Sequence, residues 1–189
     1  MDEQKGHTYT MDKNTIRSLI KKVTYMNEKE YMNCSNAILY NLIDVPEFQH
    51  AQKVFIFISK YPEPFTRDII AFCFMAKKEV YVPFLRDGEM YLTRYLPTDE
   101  LKVVEFGLKE PVNAVKADVL PDIAVVPMVA FDDNKNRLGH GKGYYDKYLA
   151  NKDIYKIGVC FSRYGIPALE CDEHDVPMDI IITEKGYIL

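Results

Sequence analysis

Apolar residues return with helical spacing near the start of the chain. Ile16, Leu19, Ile20 and Val23 stand at i, i+3, i+4 and i+7, which predicts an amphipathic helix from Asp12 to about Met26 with Asp12 as its N-cap. A second stripe, Tyr31, Cys34, Ile38 and Leu42, predicts a helix that ends before Pro46, because a proline ring cannot continue it. The period then changes. KVFIFIS, Lys53 to Ser59, is a continuous β-branched and aromatic run of the sort buried on both faces of a parallel sheet. A helix from about Thr66 to Lys77, a strand EVYVP from Glu79 to Pro83 and a strand IAVVP from Ile123 to Pro127 extend the alternation. A further helix starts after Gly143, and YKIGVCF, Tyr155 to Phe161, and DIIIT, Asp179 to Thr183, are again buried-strand patterns. Between Arg86 and Asp118 the pattern weakens: MYLTRYL reads as an edge strand or hairpin, and FGLKEPVNAVKADVLPD as a loop broken by Pro111 and Pro121. The whole predicts an α/β fold, a three-layer sandwich with a mostly parallel central sheet and helices on both faces.

Composition narrows what such a fold serves. A chain of 189 residues, 48% hydrophobic and 28% charged, suits one globular domain over residues 1–189, with residues 1–11 expected to be flexible. The formal net charge is −4 and the isoelectric point about 5.6, so a phosphate-binding site here points to a small nucleotide rather than a nucleic-acid backbone. Cys34, Cys73, Cys160 and Cys171 are scattered without a CxxC pair, the pattern of reduced thiols rather than of disulfides or zinc. The polar start MDEQKGHTYTMDKN and the lack of a membrane-length apolar run predict neither a signal peptide nor a membrane partner. The expectation is a cytoplasmic protein, taken to be a monomer.

The chemistry concentrates in NRLGHGKGYYDKYL, Asn136 to Leu149, where three glycines and a lysine precede a helix. Glycines let a ligand approach the main chain closely, and the free N–H groups of a helix start favour an anion. Following the strand IAVVP, this loop falls at the carboxyl edge of the sheet, where open α/β sheets bind ligands. It is neither a Walker A loop, since Gly143 rather than Ser or Thr follows Lys142, nor GxGxxG, since Tyr144 stands where the third glycine belongs. GHGKG by itself fits a glycine-rich turn with a solvated lysine equally well.

The match extends further. VVPMVAFDDNKNRLGHGKGYYDKYL, with Lys13-Asn-Thr-Ile16-Arg17 before it, FIFISKYPEPF containing Glu63, and His174-Asp175-Val-Pro177-Met-Asp179 near the end, resembles the 5-formyltetrahydrofolate cyclo-ligase family. The resemblance runs from Lys13 to Thr183 and implies a Rossmann-like sheet of the NagB/RpiA/CoA-transferase-like kind. It also implies the reaction: ATP phosphorylates the formyl oxygen of 5-formyltetrahydrofolate, N10 closes onto the activated carbon, and 5,10-methenyltetrahydrofolate, ADP and phosphate result. Met128-Val129 in place of Gly-Leu, and His140 where Arg or Tyr is common, are departures from the family pattern.

By the same resemblance Lys13, Arg17, Arg137, Leu138, Gly139, His140, Gly141, Lys142, Gly143, Tyr144 and Tyr145 contact ATP. Lys142 and Arg137 act on the transferring phosphate. Ile58, Glu63, His140, Gly141, Lys142, Gly143 and Tyr144 contact the folate, and Asp146 and Asp175 bind magnesium (Mg2+). Residue chemistry agrees with these roles: a compact ammonium follows a migrating phosphoryl group, and magnesium prefers one or two carboxylates beside phosphate oxygens. Plainer readings exist for each. Lys13 and Arg17 also suit a solvated helix face, Arg137 a surface ion pair, and one of the two tyrosines a packing role. Asp146 in a first helical turn stabilises the helix by about 0.3–1 kcal/mol without any metal. A non-catalytic nucleotide- or phosphate-binding regulatory domain and a sugar-phosphate isomerase on a similar sheet are the rival functions.

Overall fold

The computed structural model describes residues 11–23 and 26–189. The flexibility expected of the N-terminus concerns residues that lie, up to 10, outside that range, while Met11 forms an isolated parallel bridge with Leu169. The chain begins with helices α1 (Lys13–Val23), α2 (Glu28–Ile43) and α3 (Pro46–His50), then strand β1 (Lys53–Ile56), α4 (Arg67–Met75), and strands β2 (Glu79–Arg86) and β3 (Glu89–Tyr95). Next come β4 (Leu101–Val103), β5 (Lys109–Pro111), β6 (Ile123–Pro127), β7 (Ala130–Phe131) and β8 (Arg137–Leu138). Helix α5 (Tyr144–Leu149) and strands β9 (Tyr155–Val159), β10 (Ile180–Thr183) and β11 (Gly186–Ile188) complete it.

Local chemistry sets the boundaries. Asp12 caps α1, its carboxylate accepting the N–H groups of Asn14 and Thr15 at 3.0 Å each. The described part of the helix runs to Val23; Thr24 and Tyr25, which the apolar period included, lie outside the described residues, and Met26 is buried but not helical. Leu19, expected on the apolar face, is exposed, whereas Ile16 is buried. Asn27 caps α2 by accepting the Glu30 N–H at 2.9 Å. Pro46 ends α2 as expected but also opens α3, because a fixed φ and a missing N–H cost nothing at the first helical position. The β1 strand stops three residues short of Ser59, where the backbone turns into the first site loop.

Seven strands form one sheet in the order β11-β10-β9-β6-β1-β2-β3. The inner five run parallel, and β3 and β11 pair antiparallel at the two edges. Every residue of β6 and of β10 is buried, which is why both read as unbroken apolar runs. The segment that was ambiguous from the pattern holds β3, paired with an extended β2, and a two-stranded arm, β4 with β5. Buried Glu110 anchors that arm by accepting the Leu85 N–H at 2.8 Å. Strand β11 also escaped the sequence reading, being a half-exposed tripeptide without a period.

The connection from β1 to β2 leads one way across the sheet and that from β6 to β9 the other way. Right-handed crossovers therefore put α4 and α5 on opposite faces. On the α5 face Phe55 stacks on Tyr145 at 5.8 Å and meets Tyr148 edge-on at 5.4 Å; on the other, Phe48 of α3 stacks with Phe72 of α4 at 6.1 Å. A separate small core of Ile16, Ala130, Leu138 and Leu169 fastens α1 to the β7–β8 pair. The strand order reverses between β1 and β6, so their carboxyl ends border the crevice in which an open α/β sheet takes its ligand.

Candidate active site

Two loops meet at that crevice. The first follows β1. Its turn is closed by the Glu63 N–H on the Lys60 carbonyl at 2.8 Å, and the Lys60 N–H returns a bond to Glu63 Oε2 at 2.9 Å. The Tyr31 hydroxyl donates to the Glu63 carbonyl at 2.8 Å, and Thr66 pins the far end of the loop by donating to the Phe57 carbonyl at 2.8 Å. Glu63 is thus a nearly buried carboxylate in a fixed place, and Ile58 lies partly buried against the main core beside it. Burial first, then the charge of Glu63, pushes the Tyr31 phenol up to about 12.

The second loop is the glycine segment after β8. Arg17 reaches across from α1, donating Nε–H to the Gly139 carbonyl at 2.9 Å. Its guanidinium lies where Gly141 has no side chain: a Cβ there would stand 3.3 Å from Arg17 Cζ, at φ +97°. Gly139 is needed for the same reason, since a Cβ would come within 2.7 Å of Arg137 Nη1. Bare backbone therefore lets two guanidinium groups approach the loop. Helix α5 spans only six residues, Tyr144–Leu149, so little of the anion-attracting field expected here comes from a helix end. The cations supply it.

Those cations fall into two pairs. Lys13 contacts Asp175 at 2.5 Å and Asp172 at 2.6 Å, and Arg137 contacts Asp146 at 2.6 Å. Arg17 and Lys142 form no ion pair among the described residues and remain available to an anion. Burial opposes the charge on both Lys13 and Asp175, but their mutual hydrogen bond and attraction outweigh it, with help from Asp172 on the lysine and the Asp172 N–H on the carboxylate. The lysine is held above its ordinary range and the aspartate below its own. Arg137 is not at the surface as an isolated arginine would be. Its side chain is only 4% exposed, and its Nε is buried without a hydrogen-bond partner among the described residues. Asp146 Oδ1 also accepts the Val176 N–H at 3.2 Å, which brings the segment bearing Asp175 against α5.

Asp146 therefore lies against the segment that carries Asp175. Among the described residues no group of three or more His, Cys, Asp or Glu side chains is placed to hold a metal. Two carboxylates on adjoining segments fit magnesium that arrives with phosphate oxygens as its other ligands, not an ion caged by protein alone.

Of the two tyrosines, Tyr145 packs α5 onto Phe55. Burial, reinforced by Glu63 and opposed by Arg137, raises its phenol well above the ordinary tyrosine range. Tyr144 is half-buried against the main core, and Leu138 sits wholly in the small core under α1. His140 brings the two loops close, its Nε2 3.5 Å from Glu63 Oε1. Lys142 places Nζ 5.6 Å from the ring centroid of Phe106, at the tip of the β4–β5 arm, a residue in the stretch that the pattern left as loop. Asp132 was also missed. Its buried carboxylate accepts N–H groups from Asn134, Asn136, the Asn136 side chain and Leu169, at 2.9–3.0 Å, and so joins the turn before Arg137 to the segment leading to Asp175. The D-D-N-K-N spacing was its signal, an Asp bonding backbone two residues on.

A basic glycine loop facing a fixed carboxylate across the switch point of an open sheet defines an α/β protein built for an anionic ligand. The model of the 5-formyltetrahydrofolate cyclo-ligase family matches residues 9–184, and the chain belongs to that family. It is similar to the 5-formyltetrahydrofolate cyclo-ligase of Haemophilus influenzae, with 31% identity over 185 residues, 92% of this chain and 98% of the relative. That of Escherichia coli K12 is 32% identical over 152 residues, 75% and 83% of the two chains. Among solved structures, the Aquifex aeolicus 5,10-methenyltetrahydrofolate synthetase superposes with a TM-score of 0.82 at 32% identity, covering 94% of this chain and 92% of that one. The Mycoplasma pneumoniae synthetase, at 22% identity and a TM-score of 0.75 over 92% and 99% of the chains, shares the fold. Membership makes the chain an enzyme of the ligase class and sets aside the regulatory-domain and isomerase readings. No helix among the described residues is long and apolar enough to cross a membrane.

Proposed function

We propose that the chain catalyses the ATP-dependent cyclisation of 5-formyltetrahydrofolate to 5,10-methenyltetrahydrofolate. The observation that carries this reading is the junction of two unlike half-sites at the switch point: Arg17 and Lys142, without ion pairs among the described residues, at the glycine loop, and the fixed carboxylate Glu63, linked to that loop through His140. The first half suits ATP phosphates. The second suits the N–H groups of a pterin, with Ile58 as an apolar wall and His140 and Tyr144 alongside.

The chemistry follows from the amide-like N5 formyl group, whose oxygen is a poor leaving group. That oxygen attacks the γ-phosphorus, the bond to ADP breaks, and N10 then adds to the formyl carbon. N10 loses its proton and phosphate leaves, which generates the methenyl cation. In this reading Lys142 follows the phosphoryl group through transfer, and stabilisation of this kind acts mainly in the transition state. Lys13 and Arg137 are held by Asp175 and Asp146 in this structure. On nucleotide binding each cation turns to a phosphate oxygen, and the orphaned Arg137 Nε gains an acceptor. Asp146 and Asp175 would hold magnesium beside the phosphates, where the ion would neutralise their charge.

The reading includes a single-domain monomer acting in the cytoplasm. In its support, all four cysteines are free, as in a reducing compartment. Incubation with 5-formyltetrahydrofolate, ATP and magnesium tests the proposal: the near-ultraviolet absorbance of the methenyl product should rise only when both substrates are present. No ATP-dependent rise from folded protein overturns it.

A further inference from the structure

Asp132 is a buried carboxylate with no part in the chemistry described so far. It is 1% exposed, and every bond it accepts comes from an N–H group. Oδ1 takes the Asn134 and Asn136 backbone N–H groups at 3.0 Å each, and Oδ2 takes the Asn136 side-chain amide and the Leu169 N–H at 2.9 Å each. The turn so closed holds Lys135 at φ 65°, a left-handed conformation that lasts only where surrounding bonds over-determine it.

That turn grips one segment at both ends. Leu169 is tied by Asp132 Oδ2, and the Met178 N–H donates to the Lys135 carbonyl at 3.0 Å. Between these anchors lie Asp172 and Asp175, joined to each other by the Asp172 N–H on Asp175 Oδ2 at 2.7 Å and by the Asp175 N–H on the Asp172 carbonyl at 3.0 Å. The residue that follows the turn is Arg137, the first of β8. Two cations of the nucleotide half thus share one reference point: Arg137 leaves the turn directly, and Lys13 is paired to the segment that the turn grips. Glu63, by contrast, is fixed through Lys60 and Tyr31.

We propose that Asp132 is a positioning residue for the nucleotide. Buried under the turn, it touches no substrate; by tying the segment of Asp172 and Asp175 to the residues before Arg137, it sets the spacing of the groups that receive the phosphates and their magnesium. Such groups lose much of their effect when displaced by about 1 Å. This inference rests on the ATP reading of the glycine loop given above.

Asp132→Asn keeps an acceptor for the turn but sets an NH2 group against the Leu169 N–H. Its Kd for magnesium-ATP should rise about tenfold, the low end of what the outer partners of a metal ligand carry, while its Kd for 5-formyltetrahydrofolate stays near wild type. Asp132→Asn combined with Asn136→Asp remakes the side-chain bond inside the turn with donor and acceptor exchanged, but not the tie to Leu169. The double variant should therefore melt above Asp132→Asn and still bind ATP weakly. ATP affinity that recovers together with the melting temperature overturns the proposal, as does wild-type ATP affinity in Asp132→Asn or an equal loss of both ligands. Hydrogen exchange of the wild-type protein gives a readout that needs no variant to fold: magnesium-ATP should slow exchange at the Leu169 and Met178 amides together, and the folate should not. Unchanged exchange at both amides with ATP bound also overturns it. Wild-type protein that binds no ATP overturns the reading of the site itself.

Discussion

Lys142 is exposed and makes no ion pair among the described residues, so the fold does not depend on its charge. Lys142→Ala should lower kcat by about 10²–10³, the scale of removing one preorganised charge from a transition state, with the melting curve unchanged. Steady-state kinetics beside a thermal melt check both halves. Asp146 is a different case, because the structure gives it a partner the residue pattern did not reveal. If it served only the helix end, Asp146→Ala would cost at most about 1 kcal/mol. Since it balances the Arg137 guanidinium, whose side chain is 4% exposed, the loss should be about 3 kcal/mol, the low end for breaking a buried pair because Asp146 itself remains 19% exposed. Denaturant unfolding separates the two figures, and a magnesium titration of the surviving activity reports on the carboxylate's second role.

At the scale of elements, α1 acts as a carrier. Ile16, 2% exposed, docks the helix on Ala130, Leu138 and Leu169, and Lys13 and Arg17 ride on either side of it. Ile16→Ala should therefore cost about 2–5 kcal/mol and raise KM for ATP, while KM for the folate, held by the loop after β1, stays put. Equal changes in the two constants would detach α1 from the nucleotide half. The helix is also clasped to the C-terminal segment through Lys13 and Asp175. The Asp175 carboxyl is depressed below its ordinary 3.8, so its contribution to stability is present above that value and lost as the pH falls through the lower folded-state value. Lys13, raised above 10.5, loses its share only in strong alkali. Melts across pH should show Asp175→Asn less stable than wild type at neutrality, with the gap closing below about 3.8. A gap that persists in acid would mean the contact is not ionic.

For the whole molecule, burial decides which thiols react. Desolvation pushes the Cys73 thiol up to about 12 and raises Cys160 as well, and both are buried, whereas Cys171 is exposed and Cys34 half-exposed. A disulfide reagent should modify Cys34 and Cys171 in the native protein and reach the other two only on unfolding. The same division between local and long-range causes separates what was legible in the chain from what was not. Period and composition were enough for α2, α4, β6, β9 and β10, because a stripe or an unbroken apolar run is a local property that one element imposes on its own residues. The residue types at the glycine loop were legible for the same reason, and Glu63 was legible through the family resemblance. Their grouping at one crevice was not, since it arises from the reversal of strand order between β1 and β6. Nor were the pairings: Arg137 with Asp146, Lys13 with Asp175 and Lys142 beside Phe106 join residues up to 162 positions apart, which no local period encodes. The sequence by itself determined most of the helices, the inner strands of the sheet and which side chains carry charge. Only the tertiary structure decided which charges neutralise one another and which stay open to a ligand, because attraction between charges depends on distance and burial, and both exist only once the sheet has assembled.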